Sequence, residues 1–531
     1  MPATTAPAEA AVTLAETVRP LRIVFVFMTL FARLRLFGSV IEGLLDRGHS
    51  VHLVVEDDSE HGEVEEAWLA TVRDRPGFSI EVTAALRSDR WFWPATTLRR
   101  ASEYVRWHRP EYADRTWFLD RAERRSPRWV KALMKPRAMR TATGVHAVEA
   151  TLRPLEPAIP IGRRVREVLE RTEPDVVLLC PDLSTGSLSS VYLRTAQEMG
   201  IPNAACIASW DNLTSKQLLG VVPDKVFVWN RIQEREAEEI HGIPPDRVVV
   251  TGAQCFDQWF DWEPRPREEF CERVGLDPAR PYILYVAGSL AHTAPPELDL
   301  VRRWLKRLRA SSHEVLRDVG VLVRPHPKRS EQWLKLDVGS YEGVAVWPRP
   351  PVPMPTTREA RADYFDSIYH CATVVGLNTT AMIEAAIVGR SVHTMLFPEY
   401  ADTQGVTFHF DYLFTVAGGI LRPAFSFEEH EEQLAEALTA EDPAATRAQS
   451  ERFVKEFVRP YGLDEAATPR FVNEVEALGS MPRRPPSGMP PWRYPLRAGV
   501  VAGVYAAQPR ELARAFQVRT RRLRSRAAGR G

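Results

Sequence analysis

Short apolar runs alternate with stretches of helical character along most of the chain, and this alternation constrains the fold more than any other feature. Leu21-Arg-Ile-Val-Phe-Val-Phe27 is apolar except for Arg22, as expected of a strand covered on both faces. An amphipathic helix over Gly38–Asp46 follows, and Arg47-Gly48-His49 closes it, with Gly48 free to take a left-handed C-cap. Val51-His-Leu-Val-Val55 is the next strand. Two strands joined by a helix make a βαβ unit, which implies parallel pairing. The alternation resumes at Asp175–Cys180, with a helix about Gly186–Met199, strands near Ala204–Ile207 and Lys225–Trp229, a helix at Arg231–Ile240 and a strand at Val248–Thr251. A second series opens with strand Tyr282–Val286 and helix Pro296–Ala310. It runs on through strand Val319–Val323, helix Ala362–Tyr369, strand Thr373–Val375, helix Thr380–Val388 and strand Ser391–Leu396. The expected class is α/β, with two Rossmann-like doubly wound parallel sheets and a cleft between them.

A length of 531 residues exceeds what one hydrophobic core carries, which agrees with two domains. We expect a disordered Ala/Thr/Pro-rich leader at 1–20, a first Rossmann-like domain at 21–260, a second at 261–480 and a basic tail at 481–531. Phe256–Pro281 is rich in Pro and charge and reads as the crossover between domains. The helical stretch Ala444–Phe457 precedes Arg459-Pro-Tyr-Gly462, a break at which the chain can return to the first domain. Residues 87–165 read as a helical insertion rich in Arg and aromatics, among them Trp91, Trp93, Trp107, Trp117 and Trp129. Those tryptophans read either as the core of a helical cap or as a surface for a headgroup or sugar.

Lys+Arg and Asp+Glu are both 69, so no global charge draws the chain to nucleic acid. Five cysteines lie scattered with no CxxC pair, which points to a reducing compartment and no zinc site. The apolar run Ile23–Ala32 is about half the length needed to span a bilayer. It reads as a strand entering a helix, with a signal-anchor as the alternative. A cytoplasmic location is expected. The tail after Arg483 has about a dozen arginines against one acid, Glu511, and a small-apolar run at Ala498–Ala507. It reads as disordered or loosely docked, with attraction to an anionic inner-membrane surface as the second reading.

Four segments carry candidate chemistry. In Val374-Val-Gly-Leu-Asn-Thr-Thr-Ala-Met-Ile-Glu384 a strand stops and a helix begins. The free N–H groups of its first turn suit an anion, with Asn378 and Thr379 as N-cap types and Thr379 and Thr380 as hydroxyl donors. Glu384 lies about one turn further, a reach that suits a ribose diol. In Val321-Leu-Val-Arg-Pro-His-Pro-Lys328 a strand delivers Arg324, His326 and Lys328 at its C-terminal end, where open α/β sheets bind ligands. Fixed cations suit a diphosphate, and a histidine can protonate a leaving phosphate oxygen. In Ala287-Gly-Ser-Leu-Ala-His292, Gly288 permits close backbone approach and Ser289 can bond a phosphate. A plain βα turn explains that segment equally well. In Ser209-Trp-Asp-Asn-Leu-Thr-Ser-Lys216, Asp211 is a candidate general base and Trp210, Asn212 and Lys216 are acceptor-side candidates. An Asx-type turn capping the next helix is its plainer reading. Asp182, just past Cys180, is a second candidate base.

With these motifs the chain resembles the GT-B superfamily over about Leu21–Leu478. It looks closest to the branch holding CDP-glycerol glycerophosphotransferases, surface-carbohydrate transferases and UDP-N-acetylglucosamine 2-epimerase-like proteins. Arg324-Pro-His-Pro327 matches the element that contacts donor phosphates in such transferases, and Asn378–Ala386 with Gly389-Arg390 matches the donor-binding strand–loop–helix. The resemblance implies that Glu384 holds the ribose, that the donor rests on the second domain and that the acceptor rests on the first. It implies a metal-independent glycosyltransferase of surface glycan or glycoconjugate biosynthesis, moving a sugar from a nucleotide-activated donor to a carbohydrate or lipid-linked acceptor. The donor is a substrate of UDP, CDP/CMP or GDP type, no cofactor is expected, and no nucleic acid is a partner. Epimerisation or hydrolysis on the same fold is the alternative, although the chain lacks the His-Arg-Arg-Glu-Asn run of the epimerases. A non-catalytic carbohydrate-assembly protein is the other.

Overall fold

The computed structural model describes residues 19–28, 34–56, 66–83, 86, 89, 91–160, 162–184, 186–289, 294–352, 355, 357–404, 407–440, 442–486, 491 and 493–507. Residues 1–18 of the leader, 29–33 of the first apolar run, Leu290–His292 and the tail beyond 507 lie outside the described residues.

Seven strands form the first sheet. They are β1 (Arg22–Phe27), β2 (Ser50–Glu56), β3 (Phe78–Thr83), β4 (Val176–Cys180), β5 (Asn203–Cys206), β6 (Lys225–Val228) and β7 (Val248–Val250). Their order is β3-β2-β1-β4-β5-β6-β7, with every pairing parallel. β1 is buried from Ile23 to Phe27. Its alternate residues feed opposite faces: Ile23, Phe25 and Phe27 join one core cluster and Val24 and Val26 another. Helix Leu34–Asp46 covers the first face, and helices Arg163–Thr172 and Val191–Glu198 cover the second.

Six strands form the second sheet: β8 (Tyr282–Val286), β9 (Gly320–Arg324), β10 (Val344–Val346), β11 (Thr373–Gly376), β12 (Ser391–Met395) and β13 (Leu421–Ala424). The order β10-β9-β8-β11-β12-β13 is again all parallel. Three strands absent from the sequence reading are edge or short pieces. β3 alternates polar and apolar residues, β10 has three residues, and β13 contains Pro423, which an edge strand tolerates.

The stretch Phe256–Pro281 is not an open linker. It folds into helices Asp257–Phe260 and Arg267–Val274, and Phe256, Trp259, Phe270, Cys271 and Val274 are buried in the core of the second sheet. Helix Pro443–Phe457 adds Phe453, Val454 and Phe457 to the same core, whereas helix Ala467–Gly479 adds Phe471, Val472, Val475 and Leu478 to the first. Asp257 anchors this return. Its carboxylate accepts from the Ala467 and Thr468 amides (3.0 and 2.7 Å) and the Thr468 hydroxyl (2.7 Å), and it pairs with buried Arg459 (3.0 Å). At the far end, a Cβ on Gly479 would lie 2.4 Å from Leu21 Cδ1, so glycine permits the close approach.

Between β3 and β4 the chain is helical: Phe92–Arg106, Thr116–Arg125, Arg128–Leu133, Ala142–Leu152 and Leu155–Ala158. These helices enclose their own core, in which Trp107 stacks on Phe118 with ring centroids 4.6 Å apart. Trp107 is buried, while Trp91, Trp93, Trp117 and Trp129 are half-buried. The small-apolar run of the tail is not loose: it belongs to helix Arg493–Ala507, which lies on the insertion. Arg497 donates to the Ala158 carbonyl (2.7 Å), and Val500 packs on the cluster of Ala95, Leu98, Ile159 and Leu188. Among the described residues no helix is long and apolar enough to cross a membrane.

Candidate functional site

The C-terminal ends of β8, β9 and β11 open into a cavity of about 150 Å³. Its lining includes Ala287, Arg324, His326, Tyr364, Thr379, Thr380 and Glu384. Five residues singled out from two sequence segments therefore meet in one place. Parallel pairing brings them together, because β8 lies between β9 and β11 and all three strands end on the same edge.

Arg324 is the last residue of β9 and is 8% exposed. It donates to the Asp363 carbonyl at 3.4 Å, and its guanidinium carbon sits 4.6 Å from the centre of the Tyr364 ring. Burial, opposed by Tyr364, Asp363 and Glu384, lowers its pKa to about 10, so it stays cationic at neutral pH. The Tyr364 hydroxyl donates to Glu384, a residue 3% exposed. His326 Nδ1 accepts from the Lys328 amide at 3.2 Å. A neutral His326 therefore carries its proton on Nε2, where it can donate to a phosphate oxygen. The helix after β11 spans Ala381–Val388 and ends at Gly389, whose φ of 78° is left-handed. The side chain of its N-cap residue Thr380 makes no capping hydrogen bond, and the Ala381 amide has a 3.5 Å contact with Thr379 Oγ1.

Other donor-side expectations change. The Gly288 amide is used by Glu297, whose two carboxylate oxygens each accept from it at 3.1 Å. It therefore does not present a free N–H to a phosphate. Ser289 is exposed and, like Gly288, is not part of the cavity lining. Asn378 donates to the Thr403 carbonyl (2.6 Å), which ties two loops together. Lys328 reaches the site through its backbone N–H, while its exposed side chain is not part of the lining.

The Ser209–Lys216 loop follows β5 at the C-terminal edge of the first sheet. Helix Phe408–Thr415, which follows β12 of the second sheet, packs against it. The strand ends of both sheets meet at this helix. His409 lies edge-on to Trp210 (4.7 Å), and its Nδ1 is 3.1 Å from Ser215 Oγ. Tyr412 donates to Glu236, and Phe408 packs on Trp107, Tyr112 and Phe118 of the insertion. Trp210 is 4% exposed and belongs to the core of the second sheet, so it is a packing residue and not an open stacking platform. Asn212 is 1% exposed. It accepts from the Ala208 amide (3.3 Å) and donates to Asp211 (3.1 Å), which shapes the loop and leaves it inaccessible to an acceptor.

Asp211 makes no capping bond and instead pairs with Lys216 Nζ at 3.1 Å. Burial raises its pKa, but the Lys216 ammonium, the His409 ring and a hydrogen bond from Ser209 outweigh that and hold it well below the usual carboxylate range. So weak a base fits badly with deprotonating a hydroxyl. Burial lowers the His409 pKa to about 4, which leaves a neutral imidazole more basic than Asp211 in the same cluster. The Asp182 carboxylate is engaged by the Ser184 amide (3.0 Å) and hydroxyl (2.8 Å). Sequence reasoning missed Tyr364 and His409. Tyr364 lies 20 positions before its partner Glu384, and His409 meets a loop 194 positions earlier, so no local pattern marks either. Among the described residues no cluster of three or more His, Cys, Asp or Glu is placed to hold a metal ion.

No family model matches the chain, and no curated protein matches it. Solved structures do. The S. aureus MnaA–UDP co-structure is 14% identical, with 88% of this chain and 100% of that one covered at a TM-score of 0.51. A glycosyltransferase from Rickettsia africae is 10% identical, with 87% and 100% covered at a TM-score of 0.50. The two doubly wound parallel sheets, their linking return helix and these likenesses agree: the chain has the GT-B fold.

Proposed function

We propose that the protein is a glycosyltransferase that moves a sugar from a nucleotide-activated donor to a carbohydrate or lipid-linked acceptor. The observation that carries this reading is the convergence of Arg324, His326, Thr379, Thr380 and Glu384 on one cavity at a strand edge. Two cation-type donors, two hydroxyls and a carboxylate match the demands of a nucleoside diphosphate, whose phosphates need N–H and O–H donors and whose ribose needs an acceptor. Arg324 and His326 offset the charge that develops on the leaving diphosphate, which is where most of the rate gain in such chemistry arises. Tyr364 holds one side of the Glu384 carboxylate toward the ribose. On the acceptor side His409 takes the base role first assigned to Asp211, and Asp211 holds Lys216 in place. Closure at helix Phe408–Thr415 excludes water and limits hydrolysis of the donor. The basic tail holds the enzyme to an anionic cytoplasmic membrane face, at about 1 kcal/mol per charge near the surface.

The test is a thermal-shift panel with UDP, GDP, CMP, CDP, dTDP and ADP, with and without magnesium, on wild type and Glu384→Ala. UDP heads the panel because one solved structure of this fold is a UDP complex. A ligand at about a hundred times its Kd stabilises by about 2.7 kcal/mol. The expected result is a shift with one nucleotide class that is lost in Glu384→Ala. No shift with any nucleotide overturns the donor reading. Conversion of a nucleotide sugar to its epimer without acceptor assigns an epimerase instead.

A further inference from the structure

Two arginines of the insertion, one fully buried and one half-buried, lie against the Ser209–Lys216 loop with N–H groups that have no acceptor. Arg106 is fully buried. Its Nη2 donates to the Lys216 carbonyl (2.9 Å) and to Glu103 (3.3 Å), while Nε and Nη1 have no hydrogen-bond partner. Arg121 Nη2 donates to the Ser215 carbonyl (2.7 Å), and its Nε has no partner. Among the described residues no carboxylate lies within 4.0 Å of Arg121. Its guanidinium carbon lies 5.0 and 4.9 Å from the ring centres of Trp117 and Phe118, and that of Arg106 lies 4.3 Å from the centre of the Trp107 ring. Ring faces attract a cation but leave most of its N–H groups unanswered.

The charges in this cluster do not balance. Arg106, Arg121 and Lys216 face the carboxylates of Glu103 and Asp211, and Arg125 adds more positive field. Burial lowers the Arg121 pKa to about 10, which leaves it charged at neutral pH. A buried charge without a counter-charge is costly, and an anion arriving beside it removes that cost. Access exists on one side: Lys216 is 34% and Asp211 25% exposed, and Arg121 is half-buried.

We propose that the acceptor carries an anionic group, a phosphate or a carboxylate, and that Arg121 binds it beside Lys216, with fully buried Arg106 adding positive field from behind. This rests on the reading of the Ser209–Lys216 side as the acceptor side. The Arg121 guanidinium fork supplies the N–H donors that a planar or tetrahedral oxyanion accepts, and the neighbouring Trp117 face suits the sugar or chain that bears it. The insertion thereby sets which acceptors the enzyme takes.

Inorganic phosphate and acetate, titrated into the full-length protein by calorimetry, test this in wild type, Arg121→Gln, Arg121→Lys and His326→Ala. Expected is binding of at least one probe to wild type and His326→Ala, weakened at least ten-fold in Arg121→Gln. Arg121→Lys keeps the charge and loses the fork, and should fold and bind about three-fold or more weakly than wild type. Phosphate binding alone assigns a phosphate, and binding of both assigns a carboxylate-tolerant site. Wild-type affinity in Arg121→Gln and Arg121→Lys overturns the proposal, as does binding of neither probe. Loss in His326→Ala alone places the anion in the donor cavity and overturns this inference while leaving the donor reading intact. If no nucleotide binds but phosphate follows Arg121, the donor reading fails and the anion site stands.

Discussion

At the scale of single residues, Asp211 and His326 differ in what their surroundings let them do. Asp211 is locked to Lys216 and held too acidic to accept a proton readily. Asp211→Asn should therefore lower kcat/KM by only about ten-fold and leave the acid side of the pH profile in place, since general-base loss costs about 10²–10⁴. Steady-state rates across pH check this, and a loss near 10⁴ would restore Asp211 as the base. His326 lines the strand-edge cavity with its Nδ1 fixed by the Lys328 amide. His326→Ala should cut kcat by about 10²–10³, the usual cost of one donor to developing charge, with the melting midpoint nearly unchanged. Wild-type turnover in that variant would remove His326 from the mechanism. The motif residues Arg324, His326 and Glu384 were legible because a strand end followed by polar residues has a local signature. Trp210 and Asn212 carried the same signature and proved buried, because burial of a loop depends on what packs over it.

At the scale of elements, two helices hold the halves together. Helix Ala467–Gly479 carries the chain back to the first sheet, and its first turn depends on Asp257 for capping bonds that its own residues do not make. Asp257→Ala would leave Arg459, 4% exposed, without its carboxylate and two amides without an acceptor. We expect a loss of about 3–5 kcal/mol in urea unfolding. A loss below about 1 kcal/mol would mean that water replaces the carboxylate. Helix Phe408–Thr415 is the second tie. Its existence was not legible, because its buried residues Phe410 and Leu413 serve one half while Phe408, His409 and Tyr412 serve the other. Apolar residues on both sides blur the amphipathic period that marks a helix in sequence.

At the scale of the molecule, buried ionisable groups set an optimum pH for stability. Burial holds His241 and His409 at about 4 and His393 and His430 at about 3, against about 6.5 in an unfolded chain. Their contribution is present above pH 6.5 and is lost as pH falls. Burial pushes Glu236 and Glu297 up to about 8, so their contribution is present at low pH and is lost as pH rises through 8. Between pH 5 and 6 the unfolded chain gains about four histidine protons while the folded chain holds two glutamate protons. Stability should then rise by about 3 kcal/mol per pH unit, peak near about pH 6.5 and decline by about 1 kcal/mol per unit above it. Denaturant midpoints from pH 5 to 8 check this, and a monotonic profile would contradict the burial of one set.

The two parallel sheets were readable from the residues alone, since strand and helix periods are local and the crossover rule converts their alternation into topology. So was which strand ends carry cations, hydroxyls and the glutamate. Which of those side chains share a cavity, that Glu297 takes the Gly288 amide, that Asp211 is held acidic and that two insertion arginines keep buried N–H groups without acceptors all follow from the folded arrangement. The physical reason is that solvation, hydrogen-bond competition and Coulomb energy depend on distances across the fold, and neighbours in space are here separated by up to hundreds of positions in the chain.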